Sequence, residues 1–168
     1  MNKKTSTAKF STDTAIVIGW REILALPSLD VPYIKAKIDT GARTSTLHAF
    51  EIEEFVFNDK LMIRFQVHPW QRDNKRSITA EAPLLEYRPI RSSNGQVQNR
   101  PVISTTALLG EQKWQIELTL TNRDVMGFRM LLGRQAVRNR FLIDPGKSFL
   151  QSNSRSYNKK ESDLPAKQ

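Results

Sequence analysis

The chain has no cysteine among its 168 residues, and that absence removes disulfides, thiolate zinc sites and a cysteine nucleophile together. Histidine is almost missing as well. His48 and His68 stand twenty positions apart, which is not the His-Glu-x-x-His spacing that converges on a hydrolytic zinc. The seven glycines are scattered, and none belongs to a Gly-rich loop ending in Lys-Ser or Lys-Thr, so a phosphate cradle for ATP is lacking. No metal and no cofactor are therefore expected. Apolar runs stay far short of the roughly 20 residues that a spanning helix needs. The basic opening Met1-Asn2-Lys3-Lys4 imitates a signal peptide, but the chain stays polar through Thr14 and the apolar stretch at 15–20 is too short for secretion. The expectation is a cytoplasmic protein without membrane attachment.

Acid is scarce relative to base: 17 Asp and Glu against 26 Lys and Arg give a net charge of +9. Residues 62–101 hold seven of those bases against three acids. Such a field attracts nucleic acid or an acidic substrate, or simply keeps the surface solvated. Basic and aromatic residues are not interleaved along the sequence as a single-strand binder would require, so nucleic acid ranks low as a partner.

What is present is a period of two. Leu61, Ile63, Phe65 and Val67 alternate with polar neighbours, as do Trp114, Ile116, Leu118 and Leu120, and again Ile34, Ala36 and Ile38. Each reads as a strand with one buried face. Turn signals at Asn58-Asp59, Asp73-Asn74, Asn94-Gly95, Gly110-Glu111 and Asn122-Arg123-Asp124 divide them. The pattern indicates an all-β barrel or sandwich, read as a barrel at 15–150, between a flexible arm at 1–14 and a disordered tail at 151–168. One short helix is expected near the C-terminal end, over Arg134–Arg140. No internal repeat is found, so the chain is one half of anything two-fold.

Asp39 ends an alternating strand and enters the turn Thr40-Gly41. A carboxylate at the mouth of a rigid sheet, with glycine permitting a sharp bend behind it, suits acid–base hydrolysis when two such groups share a proton. The nearby Ser45 and His48 superficially suggest a Ser-His-Asp set, although sequence proximity is not triad geometry. The segment Arg88–Gln96 reads as a hairpin around Asn94-Gly95, either an ordinary one or a flap over the site.

Asp39-Thr40-Gly41-Ala42, followed about ninety residues later by Met130-Leu131-Leu132-Gly133-Arg134 and a short helix, resembles the two-part signature of retropepsins. Together with Gly19-Trp20-Arg21-Glu22, Arg43-Thr44-Ser45, Leu47-His48-Ala49, Ser92-Ser93-Asn94-Gly95, Arg100-Pro101-Val102-Ile103 and Asp144-Pro145, it is similar to the bacterial retropepsin-like aspartic peptidases often labelled ATP-dependent zinc proteases. Some members of that family occur beside ligases that add glutamates to proteins. The resemblance implies a closed acid-protease barrel and a metal-independent aspartic peptidase acting as a homodimer, with Asp39 of both chains as the dyad. Thr40 and Gly41 would complete the catalytic turn. Ala42, Arg43, Arg91, Ser93, Asn94 and Gly95 would contact a protein or peptide substrate. Leu132, Gly133 and Arg134 would support the site from behind. Retroviral members often carry a further Asp where Arg43 stands, so Arg134 is expected to find a different carboxylate. An acidic or glutamate-modified substrate is one expectation from Arg43, Arg88, Arg91 and Arg100. A non-catalytic barrel clamping an acidic partner is the competing one.

Overall fold

Alternation along the chain becomes alternation across a sheet, with every second side chain turned into one shared core. In the computed structural model, which describes residues 10–122 and 127–163, twelve strands form in these residues. They are β1 (Ile16–Gly19), β2 (Arg21–Leu26), β3 (Val31–Asp39), β4 (Ser45–His48), β5 (Phe50–Phe57) and β6 (Lys60–Val67). They continue with β7 (Ile78–Pro83), β8 (Glu86–Arg91), β9 (Val97–Leu109), β10 (Gln112–Thr121), β11 (Met130–Gly133) and β12 (Phe141–Asp144). A 3-10 turn at Pro27–Leu29 and two helices, α1 (Arg134–Val137) and α2 (Ser154–Ser162), complete the described chain.

The principal sheet runs β10-β4-β11-β3-β2-β9, and β9 pairs back onto β10, so six strands close into a ring. Closure removes the free edges that an open sheet would expose. Ile34, Ala36, Ile38, Leu47, Leu118, Leu120 and Leu132 point inward, and each is at most 8% exposed. Strand β8 hangs from the far part of β9, where Arg88 faces Arg100 and Arg91 faces Val97, forming a hairpin that leaves the ring. Strands β5, β6 and β7 make a separate antiparallel sheet whose Ile63, Phe65 and Val67 join the same core. Leu61, expected on that buried face, lies instead beside the tight Asn58-Asp59 turn and is exposed. A parallel ribbon of β1 and β12 joins the two ends of the fold.

The all-β barrel is as expected, and the short helix expected over Arg134–Arg140 forms as α1; the second helix, α2, was not expected. Of the tail expected to be disordered at 151–168, residues 164–168 lie outside the described residues, but Ser154–Ser162 form α2. Asn153 caps it by accepting from Ser156 N at 3.1 Å. Tyr157 then buries all but 1% of its surface, stacked near Trp70 (5.2 Å between ring centroids), with its hydroxyl accepting from Gln71 N at 2.9 Å. One aromatic anchor is enough to dock a polar helix, and composition averages conceal it. Of the arm expected at 1–14, residues 1–9 lie outside the described residues; Phe10–Thr14 form no helix or strand. The turn expected at Asn122-Arg123-Asp124 falls mostly outside them as well.

Burial pushes the Tyr157 phenol up to about 12, against an ordinary value of 10.0. A group whose folded pKa is raised contributes its stability fully below the unfolded value and loses it as pH rises through the folded one. Urea titrations of the wild type should therefore show stability lost between pH 10 and 12 that Tyr157→Phe does not lose. Tyr157→Ala should cost about 3 kcal/mol at neutral pH, the usual cost of emptying a large aromatic site. A loss under 1 kcal/mol would mean that α2 is not tied to the core.

Candidate active site

Parallel pairing places Gly133 of β11 directly opposite Asp39 of β3, with Leu132 opposite Ile38. The chain leaves β3 at Asp39, turns through Thr40 and Gly41, and re-enters the ring at β4. Within this turn the Asp39 Oδ1 accepts from Gly41 N at 3.0 Å and from Ala42 N at 3.2 Å. Those two bonds fix the rotamer and leave Oδ2 without a hydrogen bond among the described residues. Asp39 is half-buried, whereas Thr40 and Gly41 are exposed.

The β11–α1 junction grips this turn from behind. Arg134 N donates to Ala42 O at 2.8 Å and Gln135 N to Arg43 O at 3.1 Å, so the first free amides of α1 are spent on the Asp39 loop. Gly133 N donates to Ser45 Oγ at 3.0 Å. A Cβ on Gly133 would lie 2.6 Å from Thr44 C and 2.8 Å from its carbonyl oxygen, so only glycine permits the approach. The Arg134 guanidinium binds no carboxylate among the described residues, contrary to expectation. Its Nη1 donates to the Thr40 and Gly41 carbonyls at 2.9 and 3.3 Å, closing the turn from the solvent side. Backbone oxygens thus replace the missing retroviral acid.

The Ser-His-Asp alternative fails on geometry. Ser45 and His48 stand three apart on β4 and so face opposite sides of it. Ser45 is buried against Gly133, while His48 stacks outward, 6.4 Å from Phe50 and 6.5 Å from His68 between ring centroids. No group of three or more His, Asp or Glu side chains converges to metal-binding distance among the described residues.

Beside the Asp39 turn lies a cavity of about 600 Å³, lined by Arg43, Ser45, Arg88, Glu117 and Gln135 among others; Asp39 itself is not in its wall. Arg43 enters it exposed, without an acid partner among the described residues. The other expected arginines are already engaged. Arg88 pairs with Glu86 at 2.6 Å and Glu117 at 2.9 Å, and its Nη1 reaches Thr44 Oγ1 at 3.4 Å. Arg100 is buried and donates to Gln98 Oε1 at 2.9 Å. Arg91 donates within its own hairpin, to Gly95 O at 3.3 Å.

The hairpin turn is self-contained. Ser92 N bonds Gln96 O, Ser92 Oγ bonds the Asn94 side chain, and Gly95 adopts φ +83°. Ser93 and Asn94 are exposed at its tip. The hydrogen bond that ties this hairpin to the Asp39 loop comes from Arg88 rather than Arg91. The sequence suggested Ser45 only for a triad and Arg88 only for an acidic substrate, and it did not mark Glu117 as part of the site. Their meeting depends on strand register, and no local motif signals it.

Comparison with known proteins agrees with this fold. The family profile described as "Retropepsin-like aspartic endopeptidase RimB" matches residues 17–154. The chain belongs to this RimB-like family. Among curated relatives, a "Probable alpha-L-glutamate ligase" of Shewanella halifaxensis is 46% identical over 138 residues, covering 82% of this chain and 30% of the relative. Another of the same name, from Parasynechococcus marenigrum, is 50% identical over 130 residues, covering 77% and 28%. The RimB-like chain thus spans under a third of the length of these curated relatives. A crystal structure of a Legionella pneumophila protein of unknown function superimposes with a TM-score of 0.69 at 27% identity, over 82% of this chain and 98% of that one.

Gly133→Ala should separate β11 from Thr44 and cost about 2–3 kcal/mol, as overpacking against backbone does. Arg134→Ala, on an exposed side chain, should cost about 1 kcal/mol and increase amide exchange at Gly41 and Ala42. Unchanged exchange at those amides in both variants would show that the turn holds itself.

Proposed function

We propose that this protein is an aspartic-type hydrolase of peptide or isopeptide-like amides, with Asp39 and the Asp39 of a second copy as its dyad. The observation that carries this reading is the presentation of Asp39: Oδ1 anchored by two backbone amides, Oδ2 open, and the turn clamped by Gly133 and Arg134. One chain supplies one such carboxylate, so a symmetric dimer is needed to bring two together. Thr40, exposed beside it, lies where a partner loop would pass.

Two carboxyl groups side by side hold one proton between them. The ionised one takes a proton from water as the water oxygen bonds to the amide carbon, and the protonated one donates to the carbonyl oxygen. Collapse breaks the C–N bond, with a proton delivered to the departing nitrogen. The Arg88–Gly95 hairpin serves as the flap over this reaction, and Ala42 and Arg43 border the substrate. Arg43 is the cation left for a substrate carboxylate, because Arg88, Arg91 and Arg100 are committed elsewhere. The ligase names of the relatives point the same way, to glutamate-bearing protein as the substrate class.

Those names also favour a second reading, in which the barrel binds a glutamate-modified protein without cutting it. Asp39→Asn separates the two. Hydrolysis of a glutamate-extended peptide, followed by mass spectrometry, should fall at least 10³-fold in the variant while its binding persists, and EDTA should leave the wild-type rate unchanged. A rate unaffected by Asp39→Asn, or lost to EDTA and restored by zinc, would overturn the proposed mechanism. Light scattering should find a dimer under assay conditions; an active strict monomer would exclude the dyad.

A further inference from the structure

Helix α2 and the connection between β6 and β7 bring together cations that the sequence keeps far apart. Arg72 and Lys75 come from the connection; Arg155 and Lys159 stand one turn apart on α2. All four are exposed, and none has an acid partner among the described residues. The acids around them are already engaged. Asp73 accepts from Lys75 N at 2.7 Å, Arg76 N at 3.2 Å and Arg76 Nη1 at 2.8 Å. Glu161 accepts from Arg72 N at 2.6 Å. Asp163 is the exception: exposed at the C-cap of α2, it engages through its backbone N–H, which donates to Lys159 O at 2.9 Å. Between the two elements lies a cleft of about 280 Å³, with Arg72, Asp73 and Arg76 on one wall and Asn158 and Glu161 on the other, so apart from Arg72 the unpaired cations lie around its rim rather than inside it.

Aromatic rings adjoin this cluster. Tyr33 and Trp70 lie 6.1 Å apart, both half-buried, and Lys160 sits 4.1 Å over the Tyr33 ring. Lys35, 5.1 Å from the Tyr157 ring, carries the positive surface along β3. Its ammonium is held below the ordinary value chiefly by burial. Glu161 works against that shift, and the neighbouring Arg21 and Arg72 add to it, as crowded cations should. The interleaving of basic and aromatic side chains that is absent along the sequence is therefore present across the surface.

We infer that this face of the molecule binds the phosphate backbone of a nucleic acid. Backbone binding asks only for spread, solvent-facing cations. A protein partner of comparable affinity would want buried apolar anchors, and none of the exposed large hydrophobic residues falls within 68–77 or 153–163. The face begins at Lys35, four residues from Asp39 along β3, or about 13 Å. It makes no use of the Asp39 turn, so the inference stands independently of the peptidase reading.

The test is fluorescence anisotropy of a labelled 16-nucleotide single-stranded RNA, with the matching DNA strand and duplex as separate arms, across a salt series. The full chain is compared with Arg72→Gln/Lys75→Gln/Arg155→Gln/Lys159→Gln, whose melting curve establishes that it is folded. Micromolar binding at about 100 mM salt is expected, weakened at least tenfold in the variant. The slope of log K against log salt should shrink by about 2–3, near 0.7 for each lost phosphate contact on a single strand. Whichever arm binds most tightly identifies the nucleic acid. No binding to any of them at about 50 µM protein, or equal binding by both proteins, overturns the proposal. So does a surface that loses a poly-glutamate peptide on neutralisation but never held RNA or DNA, because it would then be a site for acidic protein.

Discussion

Clamping of one turn by another organises this molecule. The Asp39 turn has no regular hydrogen-bond ladder of its own, so its carbonyls must be satisfied from elsewhere. The β11–α1 junction satisfies four of them, two through the first amides of α1 and two through the Arg134 side chain. A helix of four residues has few amides to spare, and here they are directed at a loop rather than a cap. The price is a glycine at 133, where any side chain would strike Thr44. Shape complementarity at one backbone crossing thus fixes the carboxylate, the helix start and the entry to β4 together.

A second polar node lies behind it. Glu22 is fully buried, and no salt bridge reaches it among the described residues. Its oxygens are satisfied by donors instead: Gly19 N at 2.8 Å, Leu150 N at 2.8 Å, Gln151 N at 3.2 Å and Ser152 Oγ at 2.6 Å. A buried carboxylate of this kind is tolerable only when its lone pairs are filled. The same strap runs on through Trp20, whose amide bonds Lys147 O at 2.8 Å and whose carbonyl takes Ile38 N at 2.9 Å. Ile38 adjoins Asp39, so the C-terminal segment is coupled to the strand that carries Asp39 through the two backbone hydrogen bonds of Trp20.

The barrel was legible because its longer strands, such as β3, β6 and β10, alternate and its turns carry Asn, Asp and Gly. Asp39 and Gly133 were legible because their local sequence encodes a sharp bend and a close crossing. Arg134 was placed correctly but given the wrong partner: carbonyl oxygens leave no trace in a sequence, whereas a missing acid does. Pairing of the flap arginines with Glu86 and Glu117 was one of two readings the sequence allowed, and Arg88 takes it. Helix α2 was missed because a lone Tyr157 among polar residues looks like tail until its pocket of Trp70 and Gln71 exists. The basic face of α2 and the β6–β7 connection was invisible for the same reason, being assembled from three separate stretches.

The strap around Glu22 also bears on when the protein can fold. Its hydrogen bonds join residues 128 to 130 positions apart, and β1 finds its partner only in β12. Contacts of such sequence separation are entropically late and slow to form. During synthesis, β1 to β3 leave the ribosome with their buttress still unmade and their edges unpaired. The strand that carries Asp39 therefore cannot reach its final setting until residue 152 has emerged, so a chain released early would be unfinished at the Asp39 turn as well as near residue 152.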